Sequence, residues 1–201
     1  MVLKRIFDIV FSMLGLIILS PFFIIIAIWI KSTSHGEVFF RQTRVGRYGI
    51  HFRIHKFRTM VVNAESLGLK ITVGDDIRIT RIGKFLRKYK LDELPQLIDV
   101  ILGTMSFVGP RPEVPEYVEL YPEEVKKIVL SVRPGITDWS SIIMIDESSL
   151  LSKNSDPKTS YINDIMPKKL AYAVKYVKTR SFFQDCLIII ATIKNIIIRH
   201  K

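Results

Sequence analysis

"IFDIVFSMLGLIILSPFFIIIAIWI", Ile6 to Ile30, is the stretch on which the fold turns, because 25 residues with Asp8 as their one charge are enough to cross a bilayer. A spanning helix needs about 20 apolar residues. Two features point away from a plain crossing. Ser20-Pro21 lies inside the run, and proline removes a backbone donor and clashes with the carbonyl four residues earlier, so the pattern predicts a break there. The pieces on either side would be roughly 21 Å and 14 Å long, each short of a hydrocarbon core of about 30 Å. Both flanks are also basic, with Lys4 and Arg5 before the run and Lys31, Arg41, Arg44 and Arg47 after it. Positive charge marks the cytoplasmic side, so both ends favour the same side. A helix-break-helix that enters one leaflet and returns satisfies both observations; a kinked spanning helix satisfies the first. No A-x-A-like site follows the run, which sets a cleaved signal peptide aside.

Beyond this segment the chain reads as one charged domain, giving an expected division into a membrane element over 1–33 and a catalytic domain over 34–201. The net charge of +11 implies an anionic partner: nucleic acid, acidic lipid or phosphorylated small molecules. A single cysteine, Cys186, excludes an internal disulfide framework and a cysteine-based zinc site. Two β-rich runs around Gly46 to Gly49 predict an antiparallel hairpin, with Ile54, Lys56 and Arg58 on one face of its second strand. Two cations spaced in this way can converge on one phosphate or form a solvated basic face. "IRITRIGKFLRKYK" turns helical toward its end, with Lys84, Arg87 and Lys88 on one side. Gly103 is a natural helix stop, and prolines stiffen the backbone around Arg111 in "GPRP" and Arg133 in "VRPG". The apolar end, from Cys186 onward, fits a helix at the membrane interface or packed on the domain. The fold class is therefore α+β, mainly helical with a small antiparallel β-hairpin.

The segment "KLDELPQL", Lys90 to Leu97, sets Asp92 and Glu93 side by side in a basic chain. The spacing predicts Asp92 as a helix cap with Glu93, Leu94 and Pro95 in the first turn, where proline is harmless. A carboxylate at the positive end of a helix dipole suits a cap, and equally a nucleophile facing phosphate. Adjacent helical residues point about 100° apart, so the two carboxylates suit different tasks. Mg²⁺ accepts one or two carboxylates together with phosphate oxygens, a role open to Glu93.

Taken in order, "KRIFDIVFSMLGLIILSP", "FRIHKFRTM", "KLDELPQLIDVILGTMSFVGPRP" and "VRPGITDW" resemble the bacterial sugar transferases that are monotopic phosphoglycosyl transferases. The resemblance covers nearly the whole chain, and the small form of that family has about this length. It implies an enzyme on the cytoplasmic face of the bacterial inner membrane that moves a phosphosugar from a UDP-sugar to polyprenyl (undecaprenyl) phosphate and releases UMP, the initiating step of glycoconjugate biosynthesis. By motif, Asp92 would be the nucleophile and Glu93 the Mg²⁺-binding partner. Lys56, Arg58 and Arg87 would serve the phosphates, Arg111 the nucleotide, and Arg133 a further phosphate. Ser20-Pro21 would be the breaker of a re-entrant hairpin resting in an anionic phospholipid membrane. Where many relatives carry an aspartate in a "YDVYY"-like segment this chain has Ala173, which leaves Asp138, Asp146 and Glu147 as candidate substitutes. Two other readings compete: a catalytically idle scaffold of a polysaccharide assembly complex, and a basic nucleic-acid-binding membrane protein. The basic residues line no long helix and accompany no known nucleic-acid-reading motif, and that second reading leaves Asp92-Glu93 unexplained.

Overall fold

The computed structural model describes residues 2–67, 71–74, 76–144, 147–152, 154 and 156–198. The long N-terminal helix α1 (Val2–Thr33) leads into a hairpin of β1 (Phe39–Val45) and β2 (His51–Phe57). Next come α2 (Arg81–Lys88), a tight turn at Leu91–Glu93, α3 (Gln96–Leu102), β3 (Ser106–Val108), α4 (Pro115–Val118) and α5 (Glu123–Val129). The remainder is β4 (Gly135–Thr137), α6 (Trp139–Ile143), α7 (Glu147–Leu151), α8 (Pro157–Ser160), α9 (Met166–Thr179) and α10 (Phe182–Ile198).

The predicted hairpin forms, pairing Phe39 with Phe57 through Val45 with His51. Tyr48 and Gly49 turn it at positive φ, and the Gly46 amide donates to the Ile50 carbonyl at 2.8 Å. Phe52 and Ile54 face inward onto Val100 and Met105, which fixes β2 against α3. The second strand ends at Phe57, so the expected common face of Ile54, Lys56 and Arg58 stops at Lys56. Arg58 turns instead to the end of α1 and donates to the Ser34 carbonyl at 2.8 Å and hydroxyl at 2.7 Å. A second sheet, unforeseen from sequence, pairs β3 with β4 in parallel, Ser106 beside Gly135 and Val108 beside Thr137.

The N-terminal segment keeps a helical backbone through Ser20-Pro21, where the pattern predicted a break: α1 is one helix of 32 residues with Pro21 inside it. The reason is local. Pro21 has no N–H for the carbonyl of Ile17, and the Ser20 hydroxyl donates to that carbonyl at 2.8 Å in its place. Hydroxyl side chains re-satisfy groups freed by proline in this manner within apolar helices.

The two ends of α1 rest on the same body. Near its start, Arg5 and Lys4 bond to carbonyls of α3 and β3. In the middle, Gly15 passes so close to Leu97 that a Cβ there would stand 3.1 Å from its Cδ1. Toward its end, Ile26 and Ile30 are buried with Phe57, Ile82 and Leu86. Burial of each isoleucine contributes roughly 1.5–3 kcal/mol. Between these anchors lies an exposed apolar stretch, including Phe11, Ile17, Ile18, Phe22 and Ile25. The helix is long and apolar enough to cross a membrane by length and composition. α10 buries Ile188 and exposes Phe183, Leu187, Ile190 and Ile197 along one side.

Candidate active site

Asp92 and Glu93 sit in the tight turn Leu91–Glu93, entered through Lys90 at φ 58°. The capping expectation for Asp92 is corrected here, because α3 begins only at Gln96 with Pro95 as its flanking residue. Proline's fixed φ lets the chain pass from the tight turn into α3 in one step, so Asp92 lies upstream of the cap position. Its side chain is freed from capping, and Oδ1 is buried with no hydrogen-bond partner. On either side of the pair, Leu97 touches α1 and Leu91 joins the cluster containing Ile26 and Ile30. The two carboxylates are thus carried on a segment that lies along the membrane-type helix.

Glu93 is gripped by cations. Lys56 Nζ donates to its Oε1 at 2.8 Å. Arg111 donates to both oxygens, through Nη1 to Oε2 at 3.3 Å and through Nη2 to Oε1. Burial opposes ionisation of Glu93, yet Arg111 and Lys56 overcome it and hold the carboxyl well below the usual range. Asp92 shows the opposite balance: burial, then the charge of Glu93, push its carboxyl up despite Lys56. Burial likewise pulls Lys56 down, with Glu93 resisting. Glu93 is therefore the carboxyl held toward its anion, and Asp92 is a poorly solvated one whose open oxygen can form a new bond.

Arg87, on α2, donates to the hydroxyls of Thr59 at 2.8 Å and Thr72 at 2.9 Å, and Asp92 is the strongest of the charges acting on it. The structure thus brings Lys56, Arg87 and Arg111 to the acidic pair. It does not bring Arg58, which holds the end of α1, or Arg133. Arg133 donates through Nε to the Gly103 carbonyl at 2.7 Å, where its charged neighbours are Arg5, Arg47 and Asp8. Gly103 ends α3 at φ 85°, as its place in the sequence foretold, and the guanidinium completes that helix terminus. Proline-stiffened arginines look alike in sequence; only the tertiary fold separates the one at the site from the one at a helix end.

Ala173 is buried among Val45, Tyr117, Tyr161 and Leu170, in an apolar setting. Of its candidate substitutes, Asp138 caps α6 by accepting from the Ser141 amide and Ser140 hydroxyl, both at 2.7 Å, while adding to the negative field on Arg111. Glu147 pairs with Lys169 at 2.7 Å. Asp146 lies outside the described residues. Sequence reasoning missed Asp99, buried one turn into α3. It accepts from the His55 amide at 2.8 Å and contacts His55 Nδ1 at 2.7 Å, tying the strand that carries Lys56 to the helix that follows Asp92. It also missed Glu113, which accepts from Tyr161 at 2.5 Å behind Arg111.

Among the described residues, no three His, Cys, Asp or Glu side chains come together as a protein-only metal cage. Mg²⁺ does not need one, since it binds through one or two carboxylates plus phosphate oxygens and water. The unpartnered Asp92 oxygen beside Glu93 fits such a donor set.

Comparison with known proteins places the chain in a family. The chain matches the family described as "Bacterial sugar transferase" over residues 1–199. It is 35% identical over 197 residues to the UDP-N-acetylgalactosamine-undecaprenyl-phosphate N-acetylgalactosaminephosphotransferase of Aeromonas hydrophila, covering 97% of this chain and 44% of that one. It is 38% identical over 196 residues to the UDP-glucose:undecaprenyl-phosphate glucose-1-phosphate transferase of Klebsiella pneumoniae, covering 96% and 40%. It therefore spans less than half of these two longer curated relatives. With the "Uncharacterized sugar transferase EpsL" of Bacillus subtilis (strain 168) it shares 34% identity over 198 residues, 98% of this chain and 89% of that one. The chain belongs to the bacterial sugar transferase family.

Proposed function

We propose that this protein transfers a phosphosugar from a UDP-sugar to a polyprenyl phosphate, with Asp92 as nucleophile. The observation that carries the reading is the buried Asp92 oxygen with no partner, beside a Glu93 already neutralised by Lys56 and Arg111. In the first step an Asp92 oxygen forms a bond to the sugar-proximal phosphorus. The phosphoanhydride bond breaks, and UMP leaves with the electron pair. In the second, an oxygen of the lipid phosphate attacks the same phosphorus and the Asp92 carboxylate departs. Arg111 and Lys56 supply positive charge near the transferring phosphate, and Arg87 steadies the neighbourhood of Asp92. Mg²⁺, with Glu93 as its protein ligand and the substrate's phosphates beside it, would neutralise diphosphate charge.

The Aeromonas hydrophila and Klebsiella pneumoniae relatives act, by their names, on undecaprenyl phosphate, and α1 suits a lipid acceptor. A helix anchored to one body at Arg5 and again at Ile30 cannot carry its two ends to opposite sides of a bilayer while that body stays on one side. For its exposed apolar middle to enter and leave through the same leaflet, α1 bends at Ser20-Pro21, where the backbone donor is missing. The apolar side of α10 rests in the same surface, against the anionic lipids of the cytoplasmic face. The acceptor phosphate, at headgroup level, meets Asp92 without leaving the membrane.

The test is purified full-length protein with Mg²⁺, a polyprenyl phosphate and a panel of UDP-sugars, read as UMP. One sugar should release UMP, chelation should stop it, and a quenched turnover sample should carry a sugar phosphate on Asp92 by mass spectrometry. UMP release by an Asp92→Asn variant would overturn the assignment.

A further inference from the structure

Six polar side chains at the start of α1 and in its partners make a second, largely buried set of contacts, apart from the acidic pair. Lys4 Nζ bonds to Asp185 of α10 and to the Val108 carbonyl at 3.3 Å. The other Asp185 oxygen accepts from the Tyr176 hydroxyl at 2.7 Å. Asp8 accepts from the Ser106 hydroxyl at 2.8 Å and lies 3.4 Å from the Phe107 amide. Arg5 donates to the Val100 carbonyl at 2.7 Å and the Ile101 carbonyl at 3.1 Å, in the last turn of α3. Asp8 and Asp185 are only 2% and 5% exposed.

Read from sequence, Lys4 and Arg5 are flanking charges facing the leaflet. Their partners in the structure are protein atoms. A guanidinium forked across two terminal carbonyls is matched to a helix C-terminus, in both geometry and charge. α3 is 7 residues long, about 10 Å, and its other end adjoins Asp92-Glu93. Whatever holds the last turn of α3 against α1 therefore sets the height of the acidic pair above the membrane surface.

We infer that Arg5, with the Lys4–Asp185 pair beside it, is a positioning clamp that holds Asp92 at the depth where a membrane-embedded acceptor phosphate can reach it. This rests on the two-step reading above. It separates the two steps, because a UDP-sugar diffuses in from water and tolerates a loosened α1, whereas the lipid phosphate is fixed at the bilayer surface. Misplacement by about 1 Å costs a reaction roughly a hundredfold when both partners are constrained.

The experiment compares wild type with Arg5→Gln in lipid nanodiscs. It measures the UMP burst without acceptor, transfer to long-chain polyprenyl phosphate in the disc, and transfer to a short, water-soluble prenyl phosphate. Arg5→Gln should keep the burst and the soluble transfer within about twofold, and lose roughly ten- to a hundredfold in transfer to the embedded lipid. Arg5→Lys should recover part of that loss. If Arg5→Gln does not fold, the exchange pair carries the question: Lys4→Asp alone should show the same step-selective loss, and Lys4→Asp with Asp185→Lys should restore embedded transfer. Equal loss of burst and transfer, or no loss in any assay, overturns the clamp. A wild type with no burst would instead sink the covalent reading beneath it.

Discussion

Two buried acidic pairs lie along α1, and they are built in opposite ways. Asp8 and Asp185 have hydrogen-bond partners: a serine hydroxyl for one, a lysine and a tyrosine for the other. Asp92 keeps a buried oxygen with none, while its neighbour Glu93 bonds to Lys56 and Arg111. Burying a charge is tolerated when it is paired and costly when it is not. The paired set reads as architecture. The unpaired oxygen is a stability cost that makes sense if it is kept for bond formation.

The strongest way to break this contrast is substitution of the two kinds of carboxylate. Asp92→Asn should lower UMP release at least about 10⁴-fold, as removal of a nucleophile does. Its melting temperature should be equal to or above that of the wild type, because a poorly solvated charge beside Glu93 is gone. Asp185→Ala should do the reverse at the level of the fold, losing about 2 kcal/mol in denaturant titration; the figure lies below the usual cost for a broken buried pair because Lys4 is 28% exposed. A melting temperature that fell with Asp92→Asn and held with Asp185→Ala would invert the comparison.

Titration sharpens it. Burial and Glu93 raise Asp92 above its ordinary 3.8, so the stability from its neutral form is complete below that pH and is lost as pH climbs through the folded value. Glu93 is lowered, so its contribution is present above its ordinary 4.5 and disappears only when pH falls through its lower folded value. The acid limb of UMP release should accordingly lie above 3.8, and any stability advantage of Asp92→Asn should shrink as the solution is acidified. An acid limb at or below 3.8 would contradict the environment described for Asp92. The smallest effect belongs to Ser20→Ala, which strips the donor from the Ile17 carbonyl and should cost under about 1 kcal/mol, as an altered tilt or reduced protection of α1 in hydrogen exchange.

Local chemistry in the sequence carried the hairpin, the stop at Gly103 and the side-by-side carboxylates, because each depends on neighbours within a few residues. It also suggested Lys56, Arg87 and Arg111 as partners of the acidic pair, through the family resemblance more than through spacing. What local chemistry did not place has several causes. Arg133 and Arg111 sit in near-identical proline turns, and only the packing of β4 beside β3 sends one to Gly103 and the other to Glu93. Arg58 was read by strand alternation past the point where the strand ends. Asp99 was hidden because its partner, His55, is 44 positions away. The break at Ser20-Pro21 was expected from proline alone, without the serine hydroxyl that replaces the missing donor.

The Lys4–Asp185 bond joins residues 181 positions apart. At roughly 5–20 residues per second on the ribosome, about 9–36 s pass between the synthesis of one partner and the other. Throughout that interval α1 lacks α10 as a partner, and its apolar turns have lipid as a shelter. On the proposed membrane reading, α1 meets lipid before α10 exists to close onto it.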